Sequence, residues 1–181
     1  MLQSTVQNAI DSYLSMVLER GLNWYPAHVV PQDMRAGEVD EEEGLVAWKP
    51  VPASLDKPDI ARLEAALDIP LSHQFLELLR YKHFLELHLG DMWLFAHPTR
   101  GWQDALTDQV FRGHPRELLF DKGFLPFAGW SDWGLYCFCL HEKNVSGEYA
   151  VYQWDHDDPK NFVFVAHDFE GAVSAAMAHA A

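Results

Sequence analysis

Apolar residues near the start of the chain recur every three or four positions, the spacing that places them on one face of a helix. The pattern predicts an amphipathic helix from about Thr5 to Glu19, and Gly21 follows where a C-terminal cap is expected. The predicted apolar face consists of Val6, Ile10, Tyr13, Leu14 and Val17.

Four further stretches show the same helical spacing. Pro58 can occupy the first turn of one of them, because the N–H that proline lacks would be unpaired there. Pro70 interrupts the pattern, and Ser72 can cap the helix that follows. The predicted apolar stripes are Ile60, Leu63 and Leu67; Phe75, Leu78 and Leu79; Trp102, Leu106 and Val110; and Phe169, Val173 and Met177.

Between these helices the apolar residues alternate or form short runs, as strands do. The stretch "HFLELHLGDMWLFAHP" alternates and turns at Gly90–Asp91, which predicts a hairpin. Four more runs, "GFLPFA", "GLYCFCL", "YAVYQW" and "NFVFVAHD", predict four strands. We therefore expect a single α+β domain with an antiparallel sheet, helices in the N-terminal half and a closing C-terminal helix.

The region between the first two predicted helices has a different texture. Residues 22–44 are rich in turn formers and acids, which predicts an irregular surface segment. "LVAWKPV" then predicts a short strand that Pro50 and Pro52 confine to an edge or a strand end.

The chain is strongly acidic, with 27 aspartates and glutamates against 13 lysines and arginines and a formal net charge of −14. Such a surface repels nucleic acid and anionic lipid and favours a basic protein partner. The densest acidic run contains Glu41, Glu42 and Glu43, which form either a solvated loop or a docking surface. We expect a cytosolic protein with no direct membrane insertion, because no long apolar stretch and no secretory signal occur.

Motifs for catalysis or cofactor binding do not occur in the sequence. It contains neither a glycine-rich phosphate loop nor a serine nucleophile elbow, and His83 and His88 lack the spacing of a helical zinc pair. His97 falls at a strand end, where a histidine more often contacts a carbonyl than a metal. Cys137 and Cys139 lie two apart on a predicted strand and suit buried free thiols. We predict no catalytic residue, no cofactor and no metal ligand.

The stretch "WDHDDP", residues 154–159, allows two interpretations. Its acids and histidine could hold a metal, and a metal-dependent hydrolase would then use Asp155, His156 and Asp157 with His141. However, the polar residues begin where an alternating strand ends, and Asp158 precedes a proline, which is a turn signal. The pattern favours a hairpin turn.

Taken in order, several segments from residue 60 to 177 resemble the SUKH superfamily, named for its Smi–Knr and Syd branches. The segments are "ALDIPLSHQFLELLR", "GFLPFAGWSDWGLYCFCL", "GEYAVYQWDHDDP" and "VAHDFEGAVSAAM". Residues 1–59 precede this region and comprise the first helix and the acidic segment.

The resemblance implies a binding module and not an enzyme. Bacterial members of the superfamily are mostly immunity proteins that neutralise toxins, often nucleases, whereas Syd-like members bind the translocation channel SecY at its cytosolic side. We expect an immunity protein, with an adaptor for basic cytosolic loops of a membrane protein as the alternative. The predicted protein-binding residues are Trp130, Asp132 and Trp133, with the acids Asp155, Asp157, Asp158, Glu41, Glu42 and Glu43.

Overall fold

The structure is a computed structural model that describes residues 4–130 and 134–179. Its first part consists of helices and two small sheets. Strand β1 pairs with β2, and β3 pairs with β4, both antiparallel. The elements in chain order are α1 (Ser4–Glu19), β1 (Trp24–Pro26), β2 (Leu45–Ala47), β3 (Val51–Pro52), α2 (Lys57–Leu67), α3 (His73–Leu79) and β4 (Lys82–His83).

The remainder contains a six-stranded antiparallel sheet with helices α4 and α5, and each strand of the sheet pairs with the next strand in the chain. The expected α+β class, with its antiparallel sheet and closing helix, is confirmed. The elements are β5 (Leu87–Leu89), β6 (Met92–Leu94), α4 (Trp102–Asp108), β7 (Phe124–Trp130), β8 (Gly134–Lys143), β9 (Tyr149–Asp155), β10 (Phe162–Ala166) and α5 (Phe169–His179).

Local sequence signals account for the residues at which α2 and α3 begin. Asp56 and Asp59 form a reciprocal capping box, in which each side chain accepts a hydrogen bond from the backbone N–H of the other, and Pro58 lies in the first turn as predicted. Ser72 caps α3, because its hydroxyl accepts a hydrogen bond from the N–H of Phe75 at 3.2 Å. The predicted starts of both helices are therefore confirmed.

The main core lies between one face of the sheet and helices α1, α3 and α5. Along β8 the side chains alternate, so that Tyr136 and Phe138 face this core and Leu135 and Cys137 face a smaller cluster on the other side. Both cysteines are buried and free, as predicted.

Two predictions about elements were wrong, and a third was incomplete. "LVAWKPV" forms two short strands in different sheets, and Trp48 between them is completely buried in the core. Residues 22–44 are mostly irregular and exposed, as predicted, but they also contain β1, and the side chain of Met34 is fully buried in the core. Met177 is 38% exposed, and Ala176 takes its place on the packed face of α5.

Among the described residues, no helix is long and apolar enough to cross a bilayer.

Candidate functional site

A cleft of about 150 Å³ opens at the end of the sheet where β7 and β9 finish. The turn from β9 to β10 forms one wall, and the side chain of Trp130 forms another. Its lining includes Trp130, Gln153, Asp155, Asp158, Asn161 and Val163.

Hydrogen bonds fix the indole of Trp130 at this end of the sheet. Its Nε1 donates to Oδ2 of Asp91 at 3.2 Å, and the hydroxyl of Tyr136 donates to Oδ1 of the same carboxylate at 2.7 Å. Gln153 in turn donates from Nε2 to the Tyr136 hydroxyl at 3.0 Å. Burial, with the adjacent Asp91, raises the pKa of Tyr136, so the phenol remains a donor at neutral pH.

The indole ring also packs closely against the first residue of β8. A Cβ atom added at Gly134 would lie 2.3 Å from Cε3 of Trp130, closer than any side chain can approach. Trp130 is thus half-buried, with one part of the ring on the sheet end and another lining the cleft.

The stretch "WDHDDP" is a turn in the structure, as the sequence favours. The Asp155 carboxylate accepts a hydrogen bond from the N–H of Asp157 at 2.9 Å, and the carbonyl of Asp158 accepts one from Asn161 at 3.0 Å. Trp154 is buried beneath the turn and donates from Nε1 to the carbonyl of Pro159 at 3.2 Å.

The acids that line the cleft are not held in ion pairs with any described lysine or arginine side chain. Within residues 4–130 and 134–179, neither Asp155 nor Asp158 pairs with a lysine or an arginine. Among the described residues, none of those that line the cleft is basic, and Asp157 is exposed on the same turn together with His156 and Lys160. The arrangement presents an aromatic ring beside two carboxylates that have no lysine or arginine partner in the described part of the chain, which suits a cationic ligand group.

Of the residues proposed for a metal-dependent hydrolase, Asp155, His156 and Asp157 share one turn, but His141 lies far from them. Asp155 pairs with Gly134 at the start of β8, whereas His141 lies seven positions further along that strand. At about 3.3 Å per residue, this separation is roughly 23 Å. Among the described residues, no group of three or more histidines, cysteines, aspartates or glutamates is arranged to hold a metal ion.

The sequence model of the SMI1 / KNR4 family (SUKH-1) matches residues 54–173. The match covers more than half of the chain and includes every residue that lines the cleft. This chain belongs to the SMI1 / KNR4 family. The resemblance inferred from its motifs is confirmed, and the matched region begins six residues before the predicted boundary at residue 60. No curated protein matches the chain.

The acidic run at Glu41–Glu43 lies outside the region matched by the SMI1 / KNR4 family. It forms an exposed turn whose backbone is held by Asp40, since the carboxylate of this residue accepts hydrogen bonds from the N–H groups of Glu42 and Glu43 at 3.0 and 3.2 Å. None of these glutamates lines the cleft. The acidic turn is therefore not part of the cleft.

Of the other predicted interface residues, Trp130, Asp155 and Asp158 meet at the cleft, and Asp157 lies beside them. Asp132 and Trp133 lie outside the described residues. Sequence reasoning missed Asp91, although its position after Gly90 had marked it as a turn residue. It also missed Gln153 and Val163, because a strand pattern alone does not say which face meets a cleft.

Two histidines of this SMI1 / KNR4 domain are buried away from the cleft. Nδ1 of His97 lies 3.2 Å from the carbonyl oxygen of Lys82, and Nδ1 of His83 lies 3.2 Å from the carbonyl oxygen of His97. Burial, and secondarily the neighbouring His83, lowers the pKa of His97 to about 3. The prediction that His97 contacts a carbonyl is confirmed, and both rings are neutral core groups at pH 7.

Proposed function

We propose that this protein is a non-catalytic binding module, an immunity protein that neutralises a basic toxin of the nuclease type. The observation that carries the proposal is the cleft, where the anchored Trp130 lies beside Asp155 and Asp158, and neither acid forms an ion pair with a lysine or arginine of the described residues. Membership of the SMI1 / KNR4 family and the net charge of −14 support it.

The physical reason is electrostatic complementarity. Nucleases are basic where they grip phosphates, so an acidic protein is steered toward that surface and competes with the nucleic acid for it. A rigid tryptophan at the centre of such a contact supplies apolar area and accepts a cationic side chain on its face. Because Asp91, which is itself bonded to Tyr136, already holds Trp130, little side-chain freedom is lost when the partner binds.

The test compares two pairs of acids with the same change in charge. Asp155→Asn with Asp158→Asn alters the cleft, and Glu42→Gln with Glu43→Gln alters the separate acidic turn. Affinity is measured by calorimetry against a panel of purified basic nuclease toxin domains at several salt concentrations. We expect the cleft pair to weaken binding about 10- to 100-fold, as for charge contacts of about 1–3 kcal/mol.

The turn pair should change affinity only slightly, and more at low salt, because its effect is long-range attraction screened by ions. Equal losses from both pairs would show that overall charge and not the cleft directs binding. If the protein binds none of the toxin domains but co-sediments with membranes that contain SecY, it is instead an adaptor of the Syd type.

A further inference from the structure

The two edges of the six-stranded sheet differ in how they are protected. β5 forms one edge and packs against α1, where the ring of Tyr13 stacks on that of His88 at 5.5 Å. β10 forms the other edge, and in the described part of the chain no further strand pairs with it. An uncovered edge presents unpaired backbone N–H and C=O groups to any strand that approaches.

The side chains of β10 do not discourage such an approach. Val163 is 52% exposed and Phe164 is 44% exposed, whereas protected edge strands commonly carry lysine, proline or a bulge. The strand sequence "FVFVA" has neither lysine nor proline, and Pro159 and Lys160 lie in the turn before it. A bulge does occur, but it falls between Phe164 and Ala166, so the first three residues keep regular pairing with β9.

The exposed edge is continuous with the acidic cleft. Val163 lines the cleft together with Asp155 and Asp158. Phe164 points to the opposite face, where its ring contacts those of Tyr152 at 5.5 Å and His167 at 4.9 Å. A strand added beside β10 would therefore place every second side chain over the cleft and the others beside Phe164.

We propose that β10 is a docking edge for an extended basic segment of the protein partner, which adds to the sheet as a seventh strand. The inference rests on the proposed function, since it takes the partner to be a basic protein. Backbone hydrogen bonds to β10 supply affinity, and lysine or arginine at alternate positions of the segment meets Asp155 and Asp158. Apolar residues at the intervening positions contact Phe164 on the opposite face.

Charge disfavours a second copy of this chain as the occupant. Pairing two β10 strands in the same direction would set the acids of one 155–158 turn against those of the other. Each copy also carries a net charge of −14, so two copies repel, whereas a cationic segment is attracted.

The probe is a synthetic nine-residue peptide of alternating lysine and valine, added to the isotope-labelled full chain. Hydrogen exchange of individual amides is followed by NMR. We expect the outward amides of residues 161–166 to exchange at least tenfold more slowly with the peptide bound. A control peptide in which two valines are replaced by proline keeps the charge but cannot form the ladder, and it should give no protection.

A matched pair of protein variants locates the contact. Val163→Lys puts a cation on the docking edge and should weaken peptide binding at least tenfold. Val145→Lys makes the same change on the exposed turn before β9, where the side chain is fully accessible, and should leave peptide binding close to that of the parent.

Equal protection by the proline peptide, or protection outside β10, would overturn the inference. So would a dimer in sedimentation whose formation protects β10 without peptide, because the occupant would then be a second copy. If the toxin complex depends on Asp155 and Asp158 but leaves β10 amides unprotected, the proposed function stands and the docking edge fails. If a partner protects β10 but the acid substitutions leave its binding unchanged, a strand docks at this edge without the charge contacts, and both the proposed function and the basic character of the docking segment fail.

Discussion

The indole N–H of Trp130 donates a hydrogen bond to Oδ2 of Asp91, 3.2 Å away, and so joins the end of β7 to the turn between β5 and β6. Tyr136 on β8 donates to the other oxygen of the same carboxylate at 2.7 Å. One side chain from the β5–β6 turn therefore organises the aromatic wall of the cleft. Because this hydrogen bond stabilises the folded protein, substitution of Trp130 by alanine would lower the free energy of unfolding as well as the affinity for a partner.

Breaking this bond from either side should lower the free energy of unfolding. Asp91→Asn weakens two hydrogen bonds to a charged acceptor and should cost about 2 kcal/mol, whereas Trp130→Phe loses one donor, keeps the ring and should cost about 1 kcal/mol. Urea unfolding of both variants and of the double variant measures the coupling. The double variant should lose less than the sum of the single losses, because both changes remove one shared bond.

The exposed residue Asp104 provides a control for that series, since its substitution by asparagine should stay within about 0.5 kcal/mol of the parent. Strict additivity of Asp91→Asn and Trp130→Phe would contradict the bond between them.

Gly90 should tolerate a side chain far less well than Gly44. Both have a positive φ, of +69° and +67° respectively, in which an alanine is strained by about 1–2 kcal/mol. A Cβ at Gly90 would lie 2.1 Å from the carbonyl oxygen of Ala176, so α5 must move, whereas nothing lies within 4 Å at Gly44. Gly90→Ala should therefore cost several kcal/mol and Gly44→Ala about 1 kcal/mol in denaturant unfolding. Similar losses of unfolding free energy in the two variants would show that α5 moves away from residue 90 at little cost.

Stability should fall as the pH is lowered from about 6.5 toward 3, in part because of His97. Its pKa is about 3 in the folded protein and about 6.5 in the unfolded chain, so between these values the unfolded state binds the extra proton. The stabilisation is complete above pH 6.5 and is lost below it, by at most about 1.4 kcal/mol per pH unit from this group. His97→Gln should make the pH dependence shallower by up to this amount.

Leu94→Ala serves as the comparison for His97, because it destabilises the same region without removing an imidazole. The free energy of unfolding of the Leu94→Ala variant should be lower than that of the parent at every pH, and its slope against pH should be unchanged. An unchanged slope in His97→Gln would contradict the buried neutral histidine.

Cys137 should resist thiol reagents while the protein is folded. Its side chain is fully buried, and burial raises the pKa of its thiol, so the reactive thiolate is scarce. Ellman's reagent should label the thiol of Cys137 only after denaturant is added. Rapid labelling of Cys137 in the native protein, located by mass spectrometry, would show that the face of β8 carrying it opens readily.

Several features of the fold follow from patterns within a few residues of each other. The apolar spacing of α1 and the capping serine of α3 act through neighbours one helical turn away, so their sequence signals survive in any tertiary setting. The turn at "WDHDDP" is of the same kind, since Asp155 bonds to the N–H only two residues on. These elements were predicted correctly because the interactions that define them are local.

Other features depend on how distant segments meet. Pattern alone did not show that Trp48 and Met34 enter the core, nor that Asp91 reaches Trp130 across 39 positions of the chain. It predicted β10 as a strand but did not say that it would lie at the uncovered edge. The sequence by itself determined most of the helices, the strands of the large sheet, the acidity and the family. Only the tertiary structure decided which acids share a cleft, because strand register and sheet order set those distances.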